Sequence, residues 1–317
     1  MRPTKFDVDI VRDLISDSTV GFGVPAFNEG DGIVPTLQSL WEALSKLRLT
    51  ASQLILSESY DQVALSSAQP AFEWARSVGA KLEIDSSDQR RSAKEALNVV
   101  FARARSDVLI LVDADVLVPV QSLVAMLHSL FATPRPIAAI GATLPDPTFA
   151  GMRHRAGAWQ LRAVTRATSL APRSITGPNS FRAEAAFCGA WRDFYSAYRF
   201  PIGSGSISDS VELSRALVSG GYPSLNVAEA FVYKVPAGSL IDLCSGTVRS
   251  LVSNPEHRRR GNEYAAAIIE AARDPFGALL YTFARFWCSR NRSRLLNDSA
   301  SEHWHMGTTT KRRTMNH

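Results

Sequence analysis

Val108-Leu109-Ile110-Leu111-Val112-Asp113-Ala114-Asp115 is the stretch on which the fold turns. Its first five residues form a continuous apolar run after a helical segment, the pattern of a strand buried on both faces of a parallel sheet. Two carboxylates one residue apart then stand at the carboxyl end, where open α/β sheets bind their ligands. Such a pair suits a hard divalent cation held through oxygen, and that cation can in turn hold a diphosphate. The same residues also fit an acidic turn that merely ends a strand. The stretch by itself does not choose between the two.

Working outward, the first 145 residues alternate strand and helix patterns. Thr19–Val24 and Gln53–Leu56 predict strands, and between them Ile33, Leu37, Leu40, Trp41, Leu44 and Leu47 recur at helical spacing. A helix near Val63–Val78 and a short strand near Lys81–Ile84 follow. Ser92-Ala93-Lys94-Glu95 reads as a capping box, opening a helix expected to bury Ala93, Leu97, Val100, Phe101 and Ala104. Ser122–Phe131 and Ile137–Ala142 continue the series as helix and strand. This βαβ order predicts an α/β fold, a mostly parallel central sheet with helices on both faces. Residues 150–205, with scattered Gly, Pro, Arg and Ser, predict connecting helices and loops. Asp209–Ser219 reads as a helix, Tyr222–Val227 and Ala230–Tyr233 as short strands, and Leu240–Ser253 as a helix.

With 317 residues, 45% hydrophobic and 21% charged, the chain has ample core for one large domain. A net charge of +5 favours anionic partners such as nucleotides, phosphate groups or a membrane surface. No basic stripe interleaved with aromatics runs through the first 250 or so residues, so nucleic acid is not expected. Cys188, Cys244 and Cys288 are odd in number and far apart, which argues against a disulfide framework or a zinc site and for a reducing compartment. The first residues lack the apolar core of a signal peptide, and no apolar run reaches the ~20 residues of a spanning helix. The expectation is a cytoplasmic protein, or one peripheral on the cytosolic face of a membrane.

Gly21-Phe22-Gly23-Val24-Pro25-Ala26 formally fits the dinucleotide fingerprint, but the acid that should end the second strand, Glu58, comes much too late. No phosphate-binding P-loop pattern is present. A larger constellation fits better. Val24-Pro25-Ala26-Phe27-Asn28-Glu29 ends the first strand and Glu58 the second; Lys94 and Asn98 lie on the helix before the acidic pair; Asp209 opens Ser208-Asp209-Ser210-Val211-Glu212-Leu213. In this order and rough spacing, residues 18–250 resemble family 2 glycosyltransferases.

The resemblance implies an A-type glycosyltransferase fold that binds a sugar nucleotide across the carboxyl ends of its strands. Pro25, Ala26, Asn28 and Glu29 would border the nucleoside, and Glu58 would contact base or ribose. Lys94, in the first turn of its helix, would touch the diphosphate. Asp115 would ligate Mg2+ or Mn2+, with Asp113 holding ribose or a metal-bound water. Asp209 would be the base of an inverting transfer, although it also reads as a cap for its own helix. Gly177 and Arg182, in Gly177-Pro178-Asn179-Ser180-Phe181-Arg182, match the acceptor side. The donor expected by default is a UDP-sugar, and a hexosyltransferase is the expected class. The sequence leaves the acceptor open among a glycan, a lipid phosphate and a small molecule. A catalytically degenerate nucleotide-sugar binder and a nucleotidyltransferase are the alternatives.

The chain departs from the pattern at three places. Ser57-Glu58-Ser59 replaces an aspartate pair, Ser208 precedes Asp209, and Tyr233-Lys234 stands where many members place a metal-binding histidine. Lys234 would put a fixed positive charge near the phosphates and lessen the need for metal, or would simply be exposed. We expect a transferase domain over 1–255, C-terminal amphipathic helices over 256–296 and a polar disordered tail over 297–317. Phe276, Leu279, Leu280, Phe283, Phe286 and Trp287 fall on one helical face. That stripe is expected to pack on the catalytic domain or on a second subunit in a homo-oligomer. With Arg285, Arg290 and His257-Arg258-Arg259-Arg260 nearby, a membrane interface is its other reading.

Overall fold

The structure, a computed structural model, describes residues 8–27, 29, 32–49, 53–59, 65–66, 68–77, 81–87, 91–132, 136–170, 174–175, 186–202, 209–239, 243 and 261–290. A nine-stranded sheet runs in the order β3-β2-β1-β4-β8-β6-β9-β5, with β7 paired to β9. The strands are β1 (Val20–Phe27), β2 (Gln53–Ser59), β3 (Lys81–Ser87), β4 (Val108–Val112), β5 (Val116–Leu117), β6 (Ala138–Pro145), β7 (Ser174–Ile175), β8 (Phe187–Trp191) and β9 (Ser224–Lys234). Strands β3, β2, β1, β4, β6 and β9 share one direction, and β5, β7 and β8 oppose them. The fold is thus α/β on a mostly parallel sheet, as the sequence pattern requires.

Helices cover both faces. On one side α1 (Val8–Leu14), α2 (Ile33–Leu47), α3 (Gln69–Ser77) and α5 (Val120–Phe131) share a core with Phe22, Val24, Leu54, Leu56, Ile110 and Val112. On the other, α4 (Ala93–Arg103), α7 (Arg192–Ala197) and α8 (Asp209–Ser219) pack on Ile55, Leu109, Leu111 and Ile140. All six apolar positions read as the face of α2 are buried. The capping box at the start of α4 is fully formed, with Ser92 accepting from the Glu95 N–H and Glu95 accepting from the Ser92 N–H. Of the residues expected to be buried by that helix, Ala93 alone stays half-buried.

The two glycines of β1 face α4 and the turn that follows it. A Cβ on Gly23 would come within 2.3 Å of a Val100 methyl, and one on Gly21 within 2.4 Å of the Ser106 hydroxyl. At Gly23 helix α4 lies so close to the strand that only hydrogen fits, which accounts for that glycine without any dinucleotide.

Three features differ from expectation. Strand β8, inserted antiparallel between β4 and β6, replaces part of the predicted loop region. Residues 224–234 form one long strand instead of two, because β6 accommodates them with a register shift between Ile140 and Ala142. Cys288, 1% exposed, is disulfide-bonded, while Cys188 is a buried thiol outside any disulfide, so the wide spacing of cysteines in sequence does not report their separation in space.

Helices α9 (Gly261–Arg273) and α10 (Pro275–Arg290) pack on α6 (Arg155–Leu170). Arg155 and Arg162 hold Asp274 at 2.8 and 2.9 Å, and Arg166 holds the buried Glu270 at 2.6 Å. The packing face of α10 is Gly277, Tyr281, Ala284 and Cys288, with the Tyr281 ring 4.9 Å from that of Trp159. The aromatic stripe of Phe276, Leu279, Phe283 and Phe286 lies on the other side and is exposed. The sequence showed one amphipathic face, but small residues let the opposite face approach α6. Among the described residues no helix is long and apolar enough to cross a membrane. The predicted helix 240–253, apart from Leu243, the His257–Arg260 basic run and the tail lie outside the described residues.

Candidate active site

The chain lays β1, β2 and β3 toward one edge and then returns to place β4 on the other side of β1. Strand order therefore reverses between β1 and β4, and the crevice at the carboxyl ends of such neighbours is where α/β sheets bind ligands. Pro25 and Ala26 end one of these strands and Asp113-Ala114-Asp115 follows the other. Ala26 is paired in register with Glu58, and Pro25 with Ser57, so the end of β2 joins the same rim. Glu29, just beyond β1, is buried. Asn28, Gly177 and Arg182 lie outside the described residues, as does Ser208.

The acidic turn is fixed from below. The Thr36 hydroxyl, fully buried on α2, donates to the Ala114 carbonyl at 2.8 Å and accepts from the Val116 N–H at 3.1 Å. Ser39, one turn on, accepts from Val118 N–H at 3.0 Å, and the Asp113 N–H donates to the Ala186 carbonyl at 3.0 Å. Nothing in the helical pattern of α2 singles out Thr36 or Ser39. Replacing Thr36 by Val preserves shape but leaves a buried carbonyl and a buried N–H unpaired. We expect a stability loss of about 2 kcal/mol in denaturant unfolding, together with weakened ligand binding at the turn. Thr36→Ser should recover most of both.

The two carboxylates differ in environment. The side chain of Asp113 is 33% exposed, whereas that of Asp115 is 9% exposed and its Oδ2 has no hydrogen-bond partner among the described residues. Lys234, the last residue of β9, reaches both. Its Nζ lies 3.3 Å from Asp113 Oδ2 and 2.9 Å from Asp115 Oδ1. Burial alone would lower the lysine pKa, but the two carboxylates more than offset it and hold the pKa above the ordinary lysine value. The ammonium is charged throughout the neutral range. Sequence reading left Lys234 either near the phosphates or exposed, and the structure sets it on the acidic pair.

Lys94 and Asn98 serve α4's attachment to the region around α8. Lys94 Nζ is 2.8 Å from Glu212 Oε1, both largely buried. Asn98 donates to the Phe200 carbonyl at 2.9 Å and accepts from its N–H at 2.7 Å. Tyr198 is pushed up to about 12, by burial first and by the charge of Glu212 second. Glu212 thus sits one turn beyond Asp209, the first residue of α8, in an apolar setting that Lys94 neutralises. In the sequence Glu212, three residues after Asp209, reads as its partner in a helix cap, and its distance along the chain from Lys94 hid the ion pair.

A mostly parallel sheet with an acidic pair at its switch point and helices on both faces defines the A-type glycosyltransferase fold, and this chain has it. Among solved structures, the mannosyltransferase PcManGT from Pyrobaculum calidifontis, in complex with GDP-Man and Mn2+, matches 94% of this chain and 93% of its own at 16% identity, with a TM-score of 0.55. Glucosyl-3-phosphoglycerate synthase from Mycobacterium tuberculosis, in complex with Mn2+, UDP and phosphoglyceric acid, matches 82% of this chain and 86% of its own at 16% identity, with a TM-score of 0.49. No family model and no curated protein sequence matches the chain.

Proposed function

We propose that this protein is an inverting glycosyltransferase that moves a hexosyl unit from a nucleoside-diphosphate sugar, a UDP-sugar by default, to an acceptor hydroxyl or phosphate. The observation that carries the reading is the acidic pair at the β1/β4 switch point, beside Pro25, Ala26 and Glu29. Both strand ends there offer backbone and carboxylate groups to a nucleoside on one side and to a diphosphate on the other.

The residues suit Mg2+ or Mn2+. Two carboxylates one residue apart supply hard oxygen donors, and among the described residues the buried Oδ2 of Asp115 has no hydrogen-bond partner. The mannosyltransferase of the same fold is in complex with GDP-Man and Mn2+. When bound, such an ion stabilises the charge that grows on the departing diphosphate. Asp115 and Asp113 would hold it, Glu58 would receive base or ribose, and Asp209 would accept the proton of the attacking hydroxyl. The oxygen–anomeric carbon bond forms as the bond to the β-phosphate breaks, and the nucleoside diphosphate leaves with the electron pair. Gly177 and Arg182 are proposed to meet the acceptor.

Thermal unfolding with UDP, GDP, TDP and NAD, each with and without Mn2+, tests this reading. Ligand at ~100 Kd adds ~2.7 kcal/mol, a visible shift. We expect one nucleoside diphosphate to stabilise the protein and Mn2+ to enhance the effect. A shift with NAD alone would overturn the reading. Stabilisation by a diphosphate, with no transfer from any of its sugars, would favour a binder without turnover.

A further inference from the structure

Lys234 is fixed at its backbone and free only along its side chain. Its Cα pairs with Val116 of β5 and with Pro145 of β6, and its carbonyl accepts from the Asp146 N–H at 2.9 Å. From this anchor four methylenes carry the ammonium to the acidic pair, the side chain as a whole being 28% exposed. The ammonium pairs with both carboxylates, and among the described residues the buried Asp115 Oδ2 has no hydrogen-bond partner. The ammonium bridges the two carboxylates that would hold a divalent ion.

We propose that Lys234 is an exchangeable counterion: it holds Asp113 and Asp115 in the donor-free protein and moves onto the donor's diphosphate when the divalent ion takes its place. This deepens the donor-site reading above and rests on it. An ion arriving alone must displace an ammonium and leave it in a partly buried place without an anion, which is costly. A diphosphate arriving with the ion gives the ammonium a new partner. A divalent ion and a diphosphate diester also carry equal and opposite charge, so together they leave the cluster's charge where Lys234 set it, and either alone unbalances it. Ion and donor therefore bind as a pair, each weakly without the other. The side chain needs only rotamer changes for this, because β9 and its neighbours keep the backbone in place.

The test reads Mn2+ uptake from the loss of its free-ion EPR signal, on the wild type, Lys234→Met and Lys234→Arg, each alone and with UDP or GDP. The wild type is expected to take up Mn2+ only with the diphosphate. Lys234→Met should bind Mn2+ unaided at least tenfold more tightly than the wild type, and Lys234→Arg, which keeps the charge, should still exclude the lone ion. Wild-type uptake of Mn2+ without diphosphate, as tight as with it, overturns the exchange even if Lys234→Met does not fold. Diphosphate binding to the wild type that is indifferent to Mn2+ also overturns it, since Lys234 would then replace the ion. Calorimetry with the same diphosphates separates the two readings. Binding to neither protein with or without Mn2+ overturns the donor site itself, whereas intact diphosphate binding with unchanged Mn2+ uptake removes only the exchange.

Discussion

Asp115→Asn should reduce sugar transfer about 10³-fold while leaving the protein folded. Stabilisation of a leaving diphosphate by a divalent ion is worth several kcal/mol, and each 1.36 kcal/mol is tenfold in rate. Asparagine is nearly isosteric and keeps one oxygen on the buried side chain, but it removes the charge that both Lys234 and a metal ion would use. Lys234 retains Asp113, so the turn should hold its shape, supported as it is by Thr36 and Ser39. The diagnostic readout is paired: transfer falls, and the enhancement of nucleotide stabilisation by Mn2+ disappears. A variant retaining more than a tenth of the wild-type rate with Mn2+ still effective would show that Asp115 is no ligand.

Asp209→Asn should lower transfer by about 10²–10⁴-fold, the usual range for a lost general base, with donor binding unchanged. Asparagine keeps a helix-capping oxygen at the start of α8, so a cap role alone predicts little change in rate. The substitution therefore separates the two roles that the sequence permits. Undiminished transfer would remove Asp209 as the base, and attention would pass to Glu212 on the same helix, held 2.8 Å from Lys94.

How much of this could be read beforehand depended on whether the deciding contacts were local. Helix α2 was legible because six apolar residues at helical spacing all needed one buried face. The start of α4 was legible because a capping box is complete within four residues. The position of Asp113 and Asp115 followed from an apolar run that only a buried strand explains. Strand β8 was not legible: Phe187-Cys188-Gly189-Ala190-Trp191 has no clean alternation, and both its partners lie far away in sequence. The contact between Lys234 and Asp113 spans 121 residues, and no pattern within either segment announces it. Likewise the burial of Glu212 against Lys94 turned a lysine read as a phosphate contact into half of an ion pair. The stripe on α10 misled because amphipathicity shows that faces differ but not which one a neighbour will choose.

The insertion of β8 has a consequence for how the chain is made. Strands β1 to β4 pair with one another, so half of the sheet is complete once residue 112 has left the ribosome. Strand β6 follows soon after, yet both its partners, β8 and β9, are encoded later. At ~5–20 residues per second, it waits several seconds with apolar residues and open hydrogen-bonding edges on both sides. The nascent chain thus passes through a stage with a finished half and a sticky orphan strand. Slow synthesis across residues 146–186 would prolong that stage, and a chaperone that covers bare strand edges would be needed most there.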